Sequence, residues 1–202
     1  MKKRIPVLKS VVCALSLTFS VLATASAERP VLPLPSAGEI GGQCQAGIAD
    51  LNRKVSELEG IPVETEEGAE AFLKGWNRLQ ISLENLQGPM ALLSQVSPDG
   101  EVRKNADACS MDVQRFITDL FQNAKLYRNM RIVRVNDDEE RKLRQDNVSA
   151  YEDAGVSLLP DKQKRVKQIL ARLTEIDQEF SRNIRENKMR LVFTPYELQG
   201  LP

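Results

Sequence analysis

A chain of 202 residues is long enough for one ordinary domain with a sizeable core. Hydrophobic residues make up 42% and charged residues 28%, which excludes wholesale disorder, while aromatics at 5% weigh against a β-sandwich and for helices packed through Leu, Ile and Val. Lys plus Arg equals Asp plus Glu at 28 each, so no basic excess marks a nucleic-acid surface.

The N-terminus has the layout of a secretory signal peptide over residues 1–27. Lys2, Lys3, Arg4 and Lys9 form a basic opening, residues 11–22 are almost entirely apolar, and Ala25-Ser26-Ala27 offers small residues where a signal peptidase reads. Cleavage is expected after Ala27, giving a periplasmic or secreted protein with no membrane segment thereafter, because the apolar run is short for a bilayer span. Cys13 lies too early, and in the wrong company, for lipoprotein attachment. Cleavage removes four of the 28 basic residues and none of the 28 acidic ones, leaving a net charge of −4.

Residues 28–42 carry Pro30, Pro33, Pro35, Gly38, Gly41 and Gly42 and read as an extended leader. A helical region follows over 43–202. Its first helix is expected over 43–58, with Ile48, Leu51, Val55 and Leu58 on one face, stopped by Gly60-Ile61-Pro62. Thr65 is placed to cap a second helix, with Glu66 and Glu67 suiting the positive end of its dipole. Phe72, Leu73, Trp76, Leu79, Leu83 and Leu86 form its stripe up to Gly88-Pro89, and apolar residues resume to a turn at Ser97-Pro98-Asp99-Gly100. A third helix from about Glu101 carries Val102, Ala106, Val113, Phe116, Ile117 and Leu120, and can run on through Leu126 and Tyr127. Asn136 or Asp137 caps a fourth over 141–156, with Leu143, Val148, Tyr151 and Val156 inward. Pro160 opens a last long helix striped by Val166, Ile169, Leu170, Leu173, Ile176, Phe180 and Ile184, and a short extended segment, Leu191 to Thr194, follows. The class is all-α: a bundle of about five helices with a short extended segment at the C-terminus.

Catalytic constellations are hard to assemble from these residues. There is no histidine, hence no Ser-His or Cys-His pair, no imidazole base and no H-E-x-x-H zinc site. Gly41-Gly42 follows a proline-rich stretch rather than a strand, so it is not a phosphate cradle. Asp137, Asp138, Glu139 and Glu140 lack EF-hand spacing and read as an acidic helix start. Trp76 and Phe72 share a helical face and read as core. Asn147-Val148-Ser149 matches a glycosylation sequon, which matters only in a eukaryotic source. Neither catalytic nor metal-ligating residues are assigned. Cys44 and Cys109 remain after cleavage; they either form a disulfide, as an even pair in an exported protein suggests, or stand as two buried thiols.

The end of the chain carries a resemblance. Phe180-Ser181, Asn183-Ile184 and Glu186 close the last helix, and Glu197-Leu198, Gly200-Leu201-Pro202 follow. Upstream, in order, stand Ser97-Pro98-Asp99-Gly100-Glu101-Val102-Arg103 with Ala106, Leu126-Tyr127, Glu139-Glu140-Arg141-Lys142-Leu143, and Ala154-Gly155-Val156-Ser157-Leu158 before Pro160. From Phe72 onward this resembles the segment leading into the catalytic domain of the thimet oligopeptidase and oligopeptidase A family of zinc peptidases. The resemblance implies the helical N-terminal region of an enzyme that cleaves short peptides inside a deep channel. Its zinc would sit on a later H-E-x-x-H helix, so no cofactor is expected in this chain. The implied partner is the missing catalytic half, and the chain alone is expected to be inactive. The last helix is the face such a half would leave uncovered. The alternative is a free-standing periplasmic helical bundle that binds a protein partner.

Overall fold

A computed structural model describes residues 35–187, 190, 192–194, 196, 197, 199 and 200. The expected signal peptide and residues 28–34 lie outside these, as do Leu191, Pro195, Leu198, Leu201 and Pro202. Among the described residues six helices follow one another: α1 (Ala37–Glu59), α2 (Glu66–Val96), α3 (Gly100–Phe121), α4 (Ala124–Ile132), α5 (Asp138–Asp153) and α6 (Pro160–Glu186). There is no strand among the described residues, and the all-α expectation holds. None of the helices described is long and apolar enough to cross a membrane.

Three boundaries differ from the sequence reading for local reasons, and the helix expected over 141–156 lies instead at Asp138–Asp153, capped by Asp137. Residues 37–42 are helix rather than leader, because Ser36 and Glu39 form a capping box. The Ser36 N–H donates to the Glu39 carboxylate at 2.7 Å, and the Glu39 N–H returns to the Ser36 hydroxyl. Gly41 and Gly42 therefore lie inside α1, with open space beside them. The second helix runs unbroken through Gly88-Pro89; Pro89 is exposed, and buried Leu86, Met90 and Leu93 hold the turns on either side. The third ends at Phe121. Asn123 then caps a separate α4 by accepting from the Lys125 and Leu126 N–H groups at 3.0 Å, which makes six helices where about five were expected.

Contacts fix the directions. Gly47 lies against Leu86 and Gly75 against Leu58, so α1 and α2 are antiparallel. Asn105 donates to the Ala37 carbonyl at 2.7 Å and Cys109 meets Cys44, so α3 runs parallel to α1. Lys167 reaches Asp119 and Arg185 reaches Asp107, so α6 is antiparallel to α3. The core lies between α1, α2 and α3, with Phe72, Trp76, Leu79, Leu51, Leu58 and Val113 almost fully buried. Each is drawn from a 3.6-residue stripe that burial rewards by about 1.5–3 kcal/mol per large side chain.

Candidate interaction surface

An aromatic cluster decides where the last third of the chain goes. Tyr151 of α5 packs 6.1 Å from Trp76 of α2, 5.1 Å from Phe121 of α3 and 5.7 Å from Tyr127 of α4, measured between ring centres. The Tyr127 hydroxyl donates to Glu152 at 2.8 Å, and Arg131 lies over the Tyr127 ring. One turn later α5 ends in a Schellman motif. The Val156 N–H donates to the Tyr151 carbonyl at 3.1 Å and the Gly155 N–H to that of Glu152 at 2.9 Å, with Gly155 at φ +80°. That left-handed residue turns the chain, and Pro160 occupies the first turn of α6.

The helix so launched has no buried residue. It leans on α3 through Val166, Leu170, Thr174, Gln178, Ser181 and Arg185, which are only half-buried. Its ends are tied by polar contacts: Lys167 to Asp119 at 2.6 Å, Arg185 to Asp107 at 3.2 Å, and the Gln163 amide to the Val156 carbonyl at 2.7 Å. The Arg185–Asp107 pair is the sheltered one, with side chains 13% and 18% exposed. At 3.6 residues per turn, the stripe of Ile169, Leu173, Ile176, Phe180 and Ile184 points about 110° away from that face. Those five side chains are 45–62% exposed. Leu143 of α5, expected inward, is also 36% exposed, and Tyr151 alone of that helix is buried.

Little else could act chemically. Among the described residues no group of three or more His, Cys, Asp or Glu side chains could hold a metal. Zinc therefore does not fit the residues described. The Asp137–Glu140 run does what an acidic helix start does: the Asp137 carboxylate accepts from the Glu140 N–H, and Glu140 accepts from the Asn136 N–H, both at 2.7 Å. Glu39, Asp50, Glu70 and Glu197 are held below the ordinary carboxylate range by hydrogen bonds from Ser36, from Lys54 and Arg53, from Lys74 and from Thr194 respectively. A general acid needs the opposite displacement. Burial pushes the Tyr151 phenol well above its usual range, and among the described residues neither its hydroxyl nor the Trp76 ring nitrogen has a hydrogen-bond partner. Trp76 and Phe72 are core, as expected.

Cys44 and Cys109 are brought together as a disulfide between α1 and α3, with Cα atoms 5.7 Å apart and both residues buried. At the far end, Thr194 and Glu197 repeat the capping-box exchange of Ser36 and Glu39. The Thr194 N–H donates to the Glu197 carboxylate at 2.8 Å. Val192, Phe193 and Thr194 thus lead into a turn, and none of them lies in a strand.

No protein-family model matches the chain. Two curated proteins do. It is 22% identical over 176 residues to a thimet-like oligopeptidase of Dictyostelium discoideum, covering 83% of this chain and 26% of that protein. It is 28% identical over 124 residues to oligopeptidase A of Haemophilus influenzae, covering 56% of this chain and 18% of that protein. The chain thus has a weak homology to oligopeptidases over part of its length, and spans about a quarter or less of the relatives it matches.

Proposed function

We propose that this chain is the N-terminal, channel-wall part of an exported zinc-dependent oligopeptidase that cleaves short peptides, and that it does no chemistry alone. One observation carries the reading: a helical chain without a single histidine is similar to a fraction of two oligopeptidases. Helices in this role restrict by shape what reaches a catalytic centre held elsewhere. Zinc, bound by an H-E-x-x-H helix of the catalytic half, would supply the activated water. The chain has no histidine and no cluster of metal ligands among the described residues, which supports a catalytic half as its partner. Export to the periplasm or beyond is inferred from the basic, apolar and Ala-x-Ala order of residues 1–27.

The test is hydrolysis of a quenched fluorescent short peptide by the purified chain with zinc, alone and with a polypeptide carrying the catalytic half. Activity is expected only in the mixture. Chelator-sensitive hydrolysis by the chain alone would sink the proposal. The second reading, a free-standing bundle that binds a protein partner, also accounts for the uncovered stripe of α6, which the first reading assigns to the catalytic half.

A further inference from the structure

The outer face of α6 has a spacing that its packing on α3 does not use. Ile169, Leu173, Ile176 and Phe180 recur at intervals of 4, 3 and 4, the seam of a two-helix coiled coil, and half-buried Val166 continues the repeat toward the bundle. Charge follows the same repeat. Along one flank, one residue per heptad gives Arg165, Arg172, Glu179 and Glu186, all exposed and with the basic pair preceding the acidic pair; Glu179 and Glu186 also border a cleft against Glu101, Arg103 and Lys104 of α3. On the other flank Asp177 and Ser181 face Gln87, Ala91 and Gln95 of α2 across a cleft.

We infer that α6 pairs antiparallel, about a two-fold axis, with α6 of a second copy of this chain. In that arrangement these flanks of the two helices meet, and one register sets Arg165 against Glu186 and Arg172 against Glu179, each twice by symmetry. The same register layers Leu173 on Ile176 and Ile169 on Phe180. Sliding by one heptad either way opposes Arg172 to Arg172 or Glu179 to Glu179. A parallel pair would match only Arg172, with Asp177, and would set Arg165 against Leu170 and Glu179 against Ile184, so it satisfies fewer of the charges. Antiparallel helix dipoles add to the preference. Arg172 now bonds Glu175 of its own helix at 2.9 Å in an exposed pair, which is readily exchanged for Glu179 of the other copy. The inference does not depend on the peptidase reading, since it uses only residues of α6 and their surroundings.

Sedimentation equilibrium on the full chain, its N-terminus read by mass spectrometry, tests this. The dimer fraction is expected to rise over about 1–100 μM chain. Arg172→Glu and Glu179→Arg each create two like-charge pairs and weaken the dimer at least about tenfold. The double swap Arg172→Glu/Glu179→Arg restores opposite signs and returns affinity to within about threefold of the parent. Ile176→Asp abolishes it while circular dichroism and melting stay unchanged, since the residue is exposed in the monomer. The proposal is overturned by a monomer at the highest concentration, by a double swap no better than the singles, or by a dimer that survives Ile176→Asp. A monomer that binds anionic vesicles, or only a chain bearing H-E-x-x-H, overturns it too. The last outcome leaves the peptidase reading standing, whereas a dimer with inactive mixtures separates the two in the opposite sense.

Discussion

Reducing the Cys44–Cys109 bond should cost this bundle about 4 kcal/mol, and the cost should come from the unfolded chain. The two cysteines are 65 residues apart, and the loop they close contains the whole of α2 with the turns on either side. Closing a loop of that length removes about 14–15 cal/mol/K of chain entropy, or about 4 kcal/mol at 25 °C. For a domain of this size each kcal/mol is worth about 2–4 °C, so the melting temperature should fall by roughly 10–15 °C. Cys44→Ala/Cys109→Ala should lose somewhat more, because both side chains are 4% exposed or less and their removal also leaves a void. The assay is urea unfolding followed by the fluorescence of Trp76, which is the sole tryptophan and almost fully buried. Without the cross-link the unfolded chain expands, so the urea dependence should steepen as the midpoint drops. Equal midpoints with and without reductant would refute the reasoning, as would alkylation of Cys44 and Cys109 in denatured, unreduced protein.

Two glycines of helical segments should respond oppositely to alanine. Gly41→Ala, in open space, should raise stability by about 0.5–1 kcal/mol, whereas Gly68→Ala places its Cβ 1.8 Å from the Pro62 carbonyl oxygen and should cost at least about 2 kcal/mol; a stabilised Gly68→Ala in chemical unfolding would refute the packing of that turn. Tyr151→Phe should be neutral or stabilising by about 1 kcal/mol, because the buried hydroxyl is unpaired. Tyr151 stays protonated in the fold while the unfolded phenol ionises above its ordinary 10.0, so stability present below that pH is lost as pH rises past it; melting curves from pH 9 to about 12 should fall more steeply for the parent than for Tyr151→Phe. Asp107→Asn should loosen the C-terminal half of α6, seen as faster amide exchange over residues 178–186 with the global midpoint little changed; unchanged exchange there would show that the Arg185 contact does not hold the helix.

The helices α1, α2 and α3 were legible because their apolar stripes are also their buried faces, whereas in α5 only Tyr151 of the expected stripe is buried and Leu143 is exposed. The caps were legible where the rule was applied and missed where composition spoke louder. Thr65 is legible as a cap and Asp137 as one of two candidates beside Asn136, yet Ser36-Ala37-Gly38-Glu39 carries the same Ser-x-x-Glu signature and is hidden by the glycines and prolines around it. Gly38, Gly41 and Gly42 cost α1 roughly 1 kcal/mol each, but the capping box and buried Ile40 and Cys44 hold its start in place. The break before α4 was signalled only by Asn123. That residue works partly through a tertiary bond, its side-chain amide donating to Glu59 at 2.6 Å, and no local pattern contains Glu59.

The last helix shows the limit of periodicity most plainly. Its stripe correctly announces a helix, and in α1 to α3 the same signal also announces the direction of the core. In α6 the two statements separate: Gln178, Ser181 and Arg185 lean on α3, while Ile169, Ile176 and Phe180 face out. A stripe records that a face is built to be covered; what covers it is written in the flanking charges. A face meant for its own bundle needs no sign pattern along its rim, because covalent connection already sets register. Arg165, Arg172, Glu179 and Glu186 carry such a pattern beside the exposed stripe, and that pattern is the observation behind the proposed pairing of two copies.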